Sequence, residues 1–273
     1  MLQIKNYSLN GLFLIFIILA AMICSGVTIG ALYYTLDPTL REFQEKEHET
    51  ELELSGDLFE NFINNQLLSY QDLAQMPIVV NGVMGGVKDD ADLIDFLKNF
   101  RILGKLDPVV VVDINFKRIN QRGEFPFDLN SFLSDEKKPL NQILEGESPF
   151  YIKIVEVNNS YLMALCVPVL YSGFTEGLLL VEVPLSQNSI LNSLNLGPSK
   201  SLVLSQDGVA YSNNIPHKLI LEKIEDFSYL IKRLEKYGVD LIFYQERTAL
   251  EAEQNRVIWN ISLSLILGVL IIF

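Results

Sequence analysis

The chain has 273 residues, 49% of them hydrophobic, and a formal net charge of −13. All 34 acidic residues and 20 of the 21 basic residues lie between positions 37 and 256, so this segment carries a net charge of −14. A surface of this sign repels polyanions, which excludes nucleic acid as a partner.

The first predicted element is a membrane-spanning helix. No charged residue occurs from Asn6 to Leu36, and the apolar stretch Gly11–Tyr34 has 24 residues, where about 20 are needed to cross the hydrocarbon layer. A signal-peptide core would be shorter, about 7–15 residues. We therefore predict an uncleaved transmembrane helix over residues 11–36. Residues 1–10, which contain the single basic residue Lys5, are predicted to be cytoplasmic.

A long helix is predicted directly outside the membrane, over residues 38–75. Asp37 is expected to cap it, with Pro38 in its first turn, and the helix is expected to continue the first transmembrane helix with little break. Apolar residues recur along it at helical spacing, namely Leu40, Phe43, Leu54, Leu58, Phe62, Leu67 and Leu73, widened by Phe59, Ile63 and Leu68. Pro77 is expected to end the helix, and a Gly-rich connection to lead to a second helix over residues 90–103.

The pattern then becomes typical of strands. Asp107–Asn115 is β-branched and apolar on both faces, which predicts a central strand. Residues 116–149 are predicted to be loop and short helix. Three antiparallel strands are predicted over 150–157, 160–170 and 176–184, joined by turns at "NNS" and "SGFTEG".

A smaller α/β unit is predicted over residues 191–250. It begins with a hairpin of Ser201–Leu204 and Val209–Ser212 around the turn "QDG", followed by a short helix in "LILEKIED" and two strands on either side of Tyr237. Residues 251–273 are predicted to be a helix that enters a second transmembrane helix. Because the closing segment Ile258–Phe273 has only 16 residues, slightly short for a span, we expect the sequence to be cut inside it.

This order of elements resembles the extracytoplasmic Cache sensor domains of bacterial receptors. The resemblance is carried by "LLSYQDLAQMPIVVNGVMGG" at a helix end, "VVVVDINFKRI" as first strand, "YLMALCVPVLYSGFTEGLLLVEVPLS" as a strand pair and "SLVLSQDGVAYSN" at the start of a second module. The layout is similar to the periplasmic regions of Lux-type hybrid histidine kinases.

The resemblance implies an α+β, PAS-like fold flanked by two transmembrane helices. Residues 37–190 would form the long helix and a membrane-distal Cache-like module, and residues 191–250 a smaller membrane-proximal module. The protein would be a multi-pass protein of the bacterial inner membrane with residues 37–256 in the periplasm, and would form a homodimer through the long N-terminal helix.

The implied function is that of a membrane-bound sensory receptor. Its partner would be a small-molecule ligand or a periplasmic binding protein, and its output a histidine kinase or a diguanylate cyclase or phosphodiesterase beyond Phe273. Amino-acid-binding members carry a Tyr, Arg and Trp-Tyr signature followed by Asp, but the only tryptophan here is Trp259, so no amino-acid site is transferred. The alternative is a two-span structural protein similar to polysaccharide co-polymerases, whose periplasmic domains are rich in helix.

The sequence carries no motif for catalysis or metal binding. It contains no P-loop, nucleophile elbow or Rossmann glycine pattern, and His48 and His217 are its only histidines. Cys166 is the single cysteine of residues 37–256 and is predicted to be a buried free thiol. We therefore predict no cofactor and no metal, and leave open whether residues beyond this sequence make the protein an enzyme.

The candidate ligand site is the loop 116–127 together with the strands over 150–184. Arginine can bind a carboxylate or phosphate through two parallel hydrogen bonds, and aromatic side chains can form apolar walls. The candidate residues are Arg118, Arg122, Phe125, Tyr151, Tyr161 and Tyr171, with Phe116 and Phe127 as further walls. The alternative is that both arginines are solvated and the aromatic residues belong to the core. Lys137 and Lys138 are interpreted as solvated loop charges.

Overall fold

The computed structural model describes residues 9–85, 90–102, 104, 106–158, 160–185 and 196–272. Its longest element is helix α1, Leu9–Ala74, which continues through Pro38. A proline inside a helix removes one backbone donor; near Pro38, the hydroxyls of Thr35 and Thr39 each donate to a carbonyl one turn earlier. The expected continuation of the first predicted helix into the long helix is therefore confirmed, and only the cap predicted at Asp37 is wrong.

Two faces of α1 differ in burial. One face is buried in the core, at Leu52, Phe59, Ile63, Leu67, Tyr70, Leu73 and Ala74. Leu54, Leu58 and Leu68 belong to the predicted apolar stripe but are exposed. The predicted stripe therefore divides into two faces, and only one of them packs against the rest of the chain.

Two short helices follow: α2 is Pro77–Val83 and α3 is Asp90–Asn99. Pro77 takes the first position of α2, where a backbone N–H is not needed, so the connection predicted to begin after Pro77 is instead helical as far as Val83. A Cβ on Gly82 would lie 2.6 Å from Leu93 Cδ2. This glycine therefore allows α2 and α3 to pack closely.

The first sheet has five antiparallel strands: β1 Val109–Asp113, β2 Arg118–Arg122, β3 Tyr151–Val157, β4 Ser160–Tyr171 and β5 Phe174–Pro184. Their order is β2-β1-β5-β4-β3, which confirms the central strand and the three antiparallel strands predicted from the sequence.

Strand β2 corrects the prediction that residues 116–122 are loop. Its polar sequence was read as loop, but β2 is an edge strand, where one side of the ladder is unpaired and polar residues are tolerated. The turn before it is closed by the Asp113 carboxylate, which accepts hydrogen bonds from the backbone N–H groups of Asn115 and Lys117, both at 2.8 Å.

The two faces of this sheet are covered by different helices. Helices α4, Leu129–Asp135, and α5, Lys137–Leu144, pack on one face, which we call the helix-covered face. The other face, which we call the α1 face, packs against α1, α2 and α3 in one continuous core. Lys137 and Lys138 thus begin α5, and their assignment to a loop is wrong.

A second, smaller sheet follows, with strands β6 Lys200–Gln206, β7 Val209–Ser212, β8 Phe227–Leu234 and β9 Val239–Glu246 in the order β7-β6-β9-β8. Helix α6, His217–Glu222, lies between β7 and β8, and helix α7, Arg247–Ile272, follows β9. This confirms the predicted hairpin, short helix, strand pair and final helix, and the α+β fold class is confirmed with them.

Basic side chains of the second sheet hold it to α1. Lys200 Nζ lies 2.8 Å from Glu51 Oε2, and Lys232 Nζ lies 3.2 Å from Asp57 Oδ1. About two turns further along α1, the Tyr237 hydroxyl donates to Asn64 Oδ1 at 2.9 Å. Both sheets therefore share one helix as a common support.

The chain divides into two compact units. Glu51–Tyr244 contains both sheets and the core. The second unit consists of the described residues before Glu51 and after Tyr244, and in it Gln254 Nε2 of α7 donates to Gln44 Oε1 of α1 at 2.6 Å.

Candidate functional site

The helix-covered face of the first sheet is mostly apolar. Its buried residues come from β1, β4, β5, α4 and α5: Val110, Val112, Phe132, Leu133, Leu140, Ile143, Leu162, Ala164, Cys166, Leu178 and Leu180. Phe116, Phe125 and Phe127 pack against them from the segment around β2, and Tyr151 from β3. The Phe125 and Phe127 rings meet edge to face with their centroids 5.4 Å apart.

A set of polar side chains interrupts this apolar face at β3. The Tyr151 hydroxyl donates to Glu136 Oε2 at 2.7 Å, and Lys153 Nζ lies 3.3 Å from Glu136 Oε1. Lys153 Nζ also lies 2.7 Å from Asp207 Oδ2, in the turn between β6 and β7. Glu136 stands between α4 and α5, so these contacts join the covering helices, the first sheet and the second sheet.

The titration of these groups follows from their surroundings. The pKa of Tyr151 is raised far above its usual value. Burial is the larger cause, and the hydrogen bond that the hydroxyl donates to the Glu136 carboxylate is the next. Burial alone would lower the pKa of Lys153, but its hydrogen bond to Asp207 and the charge of Glu136 outweigh burial and raise it. Tyr151 is therefore neutral and Lys153 charged at physiological pH.

Glu182 is a buried acidic residue of this face that was not among the predicted site residues. It lies on β5 opposite Ala164 of β4, which in turn pairs with Lys153 of β3. Residues paired across antiparallel strands share a face, so Lys153, Ala164 and Glu182 form one row on the helix-covered face, with only a methyl group in the middle. The signal was available, because "GLLLVEVP" places one carboxylate inside an otherwise apolar strand.

The Glu182 carboxylate is buried, and one of its oxygens lacks a hydrogen-bond donor in the described part of the chain. The residue is 8% exposed, and among the described residues no donor lies within hydrogen-bond distance of its Oε2. Burial, followed by the negative charge of Asp107, raises the pKa of Glu182. A carboxylate in this condition favours a bound proton or a donor supplied by a ligand.

Arg122 is on the α1 face, away from this row. It pairs with Val109, a residue of the core shared with α1. Arg122 is only 8% exposed. Its guanidinium donates four hydrogen bonds to three backbone carbonyls. Nε and Nη2 donate to the Asp107 carbonyl at 3.0 and 2.6 Å, and Nη1 donates to the Leu97 and Phe100 carbonyls at 2.6 and 2.5 Å. The arginine thus fastens the end of α3 to the start of β1.

Asp107 links this arrangement to α1. Its Oδ2 accepts a hydrogen bond of 2.5 Å from the Tyr70 hydroxyl, and both residues are buried. Burial, followed by this hydrogen bond, raises the pKa of Tyr70. The hydroxyl therefore stays protonated and ties the end of α1 to the edge of the first sheet.

The remaining candidates lie apart from one another. Arg118 is exposed at the beginning of β2 and donates to Gln121 Oε1 at 2.9 Å. Tyr161 faces the α1 side, where its ring centroid is 5.5 Å from that of Tyr211. Tyr171 is 48% exposed at the end of β4. Of the six candidates, Phe125 and Tyr151 pack on the helix-covered face, towards opposite ends of the strand order, and the two arginines do not join them.

Two further properties bear on chemistry and location. No group of three or more His, Cys, Asp or Glu side chains within the described ranges is arranged to hold a metal ion. Within those same ranges one helix, Ile15–Ala74, is long and apolar enough to cross a membrane, with a mean hydropathy of 2.5 in its best window and none of that window buried. The end of α7 does not meet this criterion over its described residues.

The arrangement of one long helix, a five-stranded sheet and a smaller second sheet is that of periplasmic sensor domains of bacterial histidine kinases and chemoreceptors. This confirms the predicted Cache-like, PAS-like fold. No protein-family model matches the sequence, and no curated protein matches it.

Three solved structures illustrate the similarity. The sensor domain of the Vibrio cholerae histidine kinase DctB has a TM-score of 0.56 at 11% identity, over 75% of this chain and 98% of that one. The Pseudomonas fluorescens chemoreceptor CtaA, bound to L-isoleucine, has a TM-score of 0.55 at 14% identity, over 81% and 99%. The ligand-binding domain of Mlp24 with asparagine has a TM-score of 0.53 at 15% identity, over 79% and 99%.

Proposed function

We propose that this protein is a membrane-bound sensory receptor. The observation that supports the proposal most strongly is that almost the whole length of several sensor domains superposes on three quarters or more of this chain. The two antiparallel sheets favour a receptor over the co-polymerase alternative, whose periplasmic domain would be rich in helix. The output module would be a histidine kinase or a diguanylate cyclase or phosphodiesterase.

The proposed topology places residues 37–256 in the periplasm of a bacterial inner membrane. The apolar part of α1 would be the first span, and the end of α7 would enter the second. In the unit that contains both helices, the hydrogen bond between Gln44 and Gln254 supports their movement as a pair. A ligand-dependent displacement of α1 and α7 together would then carry the signal.

We place the ligand on the helix-covered face, at the row formed by Lys153, Ala164 and Glu182, with Tyr151 on the same face of β3 and Phe125 further across that face. This row combines one cation with a carboxylate of which one oxygen lacks a donor within the described ranges, and binding sites are typically apolar pockets with a few convergent polar groups. A periplasmic binding protein that docks above α4 and α5 is the second candidate partner.

A matched tyrosine pair tests this location. The full chain in detergent micelles would be screened by thermal shift against L-amino acids, aliphatic amines and small carboxylic acids. For a compound that raises the melting temperature, Tyr151→Phe is expected to weaken binding by roughly 2- to 12-fold, since it removes a hydrogen-bonding group at the site. Tyr161→Phe, on the opposite face of the same sheet, should leave binding unchanged.

The opposite pattern, with binding lost in Tyr161→Phe and kept in Tyr151→Phe, would move the site to the α1 face. If none of the three compound classes shifts the melting temperature, direct sensing of these classes is wrong and the binding protein becomes the partner to test.

We also propose that the receptor is a homodimer through α1. Exposed residues follow one another along α1 at intervals of four and three: Leu54, Leu58, Asn61, Asn65 and Leu68. This alternation is the spacing of a coiled-coil seam, and asparagine at a seam position fixes register and partner number. A second copy of the same helix would cover the leucines, which are 41–59% exposed.

Cysteine cross-linking in membranes tests the dimer. In a chain whose exposed Cys24 is replaced by serine, Leu58→Cys is expected to form a disulfide-linked dimer under mild oxidation, because paired seam positions lie close enough for a disulfide. Glu53→Cys, which is exposed on α1 outside the seam, should cross-link far less. Equal cross-linking at both positions would mean random collision and would count against this interface.

A further inference from the structure

The outer edge of β3 is closed by a side chain of the second sheet. β3 ends the strand order of the first sheet, so half of its backbone groups have no strand partner. Gln206 satisfies two of them: its Oε1 accepts from the Ile154 N–H at 2.7 Å, and its Nε2 donates to the Ile152 carbonyl at 3.0 Å. A single amide therefore binds the sheet edge as a neighbouring strand would.

The next residue, Asp207, extends this contact to the helix-covered face. It has a positive φ of 49° in the β6–β7 turn, and its carboxylate reaches Lys153 Nζ at 2.7 Å. Lys153 Nζ also lies 3.3 Å from Glu136 Oε1. The other carboxylate oxygen of Glu136 accepts a hydrogen bond from the Tyr151 hydroxyl. One ammonium group thus stands between a carboxylate that belongs to the covering helices and a carboxylate that belongs to the second sheet.

We infer that Lys153 couples the covering helices α4 and α5 to the β6–β7 turn of the second sheet. The inference rests on the proposed function, because it states how an event at the proposed ligand site would reach the sheet that is held to α1 by Lys200 and Lys232. A ligand that contacts Glu136 or Tyr151 changes how Lys153 divides its interaction between Glu136 and Asp207. The β6–β7 turn then gains or loses its attachment to β3.

The geometry explains why this coupling is specific to Lys153. The side chain of Lys153 is 18% exposed and that of Glu136 is 20% exposed, so the pair is shielded from solvent more than an ordinary surface ion pair. Asp207 is 69% exposed and can separate from Lys153 with little loss of packing. The contact to Asp207 is the shorter of the two, at 2.7 Å against 3.3 Å, but it is the more exposed to solvent and is the one that a change at Glu136 can release.

Hydrogen exchange on the full chain in lipid nanodiscs, without any ligand, tests the coupling. Asp207→Asn is expected to lower exchange in α5 by about two- to fivefold, since Lys153 then interacts with Glu136 alone and a partly exposed ion pair changes local opening by that order. Gln206→Ala should raise exchange of the Ile154 amide by up to about tenfold, because its acceptor is lost. The matched control is Asp240→Asn, which removes the ion pair between Arg233 and Asp240 within the second sheet and should leave α5 unchanged.

Repeating the experiment in a chain that lacks the Lys153 ammonium group tests whether the effect depends on that group. In a Lys153→Met chain, Asp207→Asn should no longer alter exchange in α5. If Asp207→Asn changes only the β6–β7 turn in the native background, or still changes α5 in the Lys153→Met background, the inference is wrong. Because no ligand is used, coupling without any receptor response would leave the inference standing and count against the proposed function alone.

Discussion

Replacing Arg122 with alanine is expected to lower the free energy of unfolding of the sheet-containing unit by roughly 3–5 kcal/mol, the range found when one partner of a buried charged contact is removed. Three backbone carbonyls, those of Leu97, Phe100 and Asp107, would lose their donor in a buried site. Each buried group left without a partner contributes roughly 1–3 kcal/mol to such a loss.

Two further variants separate a structural role from a ligand-binding role. Arg122→Lys keeps the charge but presents a single ammonium group in place of a planar fork, so an intermediate loss is expected. Arg118→Ala removes an exposed side chain that contacts only Gln121 among the interactions described, and should change stability by no more than about 0.5 kcal/mol. Pulse proteolysis of the full chain in detergent, with urea as denaturant, measures all three.

The result also decides between two interpretations of the arginine. If Arg122→Ala keeps native stability yet loses the response to a bound compound, the original prediction of a ligand-binding arginine is supported. If stability falls as expected, loss of response in that variant reports unfolding, and Arg122 belongs to the scaffold.

The sequence was sufficient for most of the fold because its patterns are strong. Val109–Val112 is apolar on both faces and can only be a central strand, and "QDG" between two apolar runs predicts a hairpin. The errors fall where local signals compete with tertiary structure. Pro38 locally favours a helix start, but the helix continues on both sides of it. The polar sequence of β2 favours a loop, but β2 is an edge strand, where polar residues are tolerated.

The site was harder to predict because the face to which a side chain points depends on register. Tyr151 and Tyr161 lie on neighbouring strands and look equivalent in the sequence, yet the pairing of Tyr151 with Cys166 and of Tyr161 with Glu156 puts them on opposite faces. A shift of one residue would exchange them. The contacts of Arg122 are with carbonyls, and no side-chain pattern in the sequence marks a carbonyl that lacks a donor.

The second large effect concerns Glu182, and here the expected change is a gain in stability. Glu182→Gln replaces a buried carboxylate without a donor on one oxygen by a neutral amide of the same shape. Removing the buried charge is expected to stabilise the unit by roughly 1–3 kcal/mol at neutral pH. Ala164→Ser, a neighbouring substitution on the same face that leaves the charge in place, serves as the control and should not stabilise.

The pH dependence identifies the carboxylate as the cause. The pKa of Glu182 is raised in the folded protein, so the folded state binds its proton at a pH where the unfolded chain has lost it. The free energy of unfolding therefore rises as the pH falls from 7 towards the ordinary glutamate value. His217 acts in the opposite direction, because burial lowers its pKa and stability is lost as the pH falls through its unfolded value. Asp128, whose pKa is lowered by Ser131 and the Asn130 N–H, changes only at lower pH.

Comparing Glu182→Gln with the native chain at each pH cancels His217 and Asp128, which are present in both. The stability difference between the two proteins is expected to be largest at pH 7 and to shrink steadily towards pH 5. Natural proteins retain destabilising groups chiefly where function needs them, so the same variant should lose affinity for any compound found at the row of Lys153, Ala164 and Glu182. A variant that gains stability and keeps full binding would remove Glu182 from the site, and one whose stability difference does not depend on pH would show that its charge is already compensated.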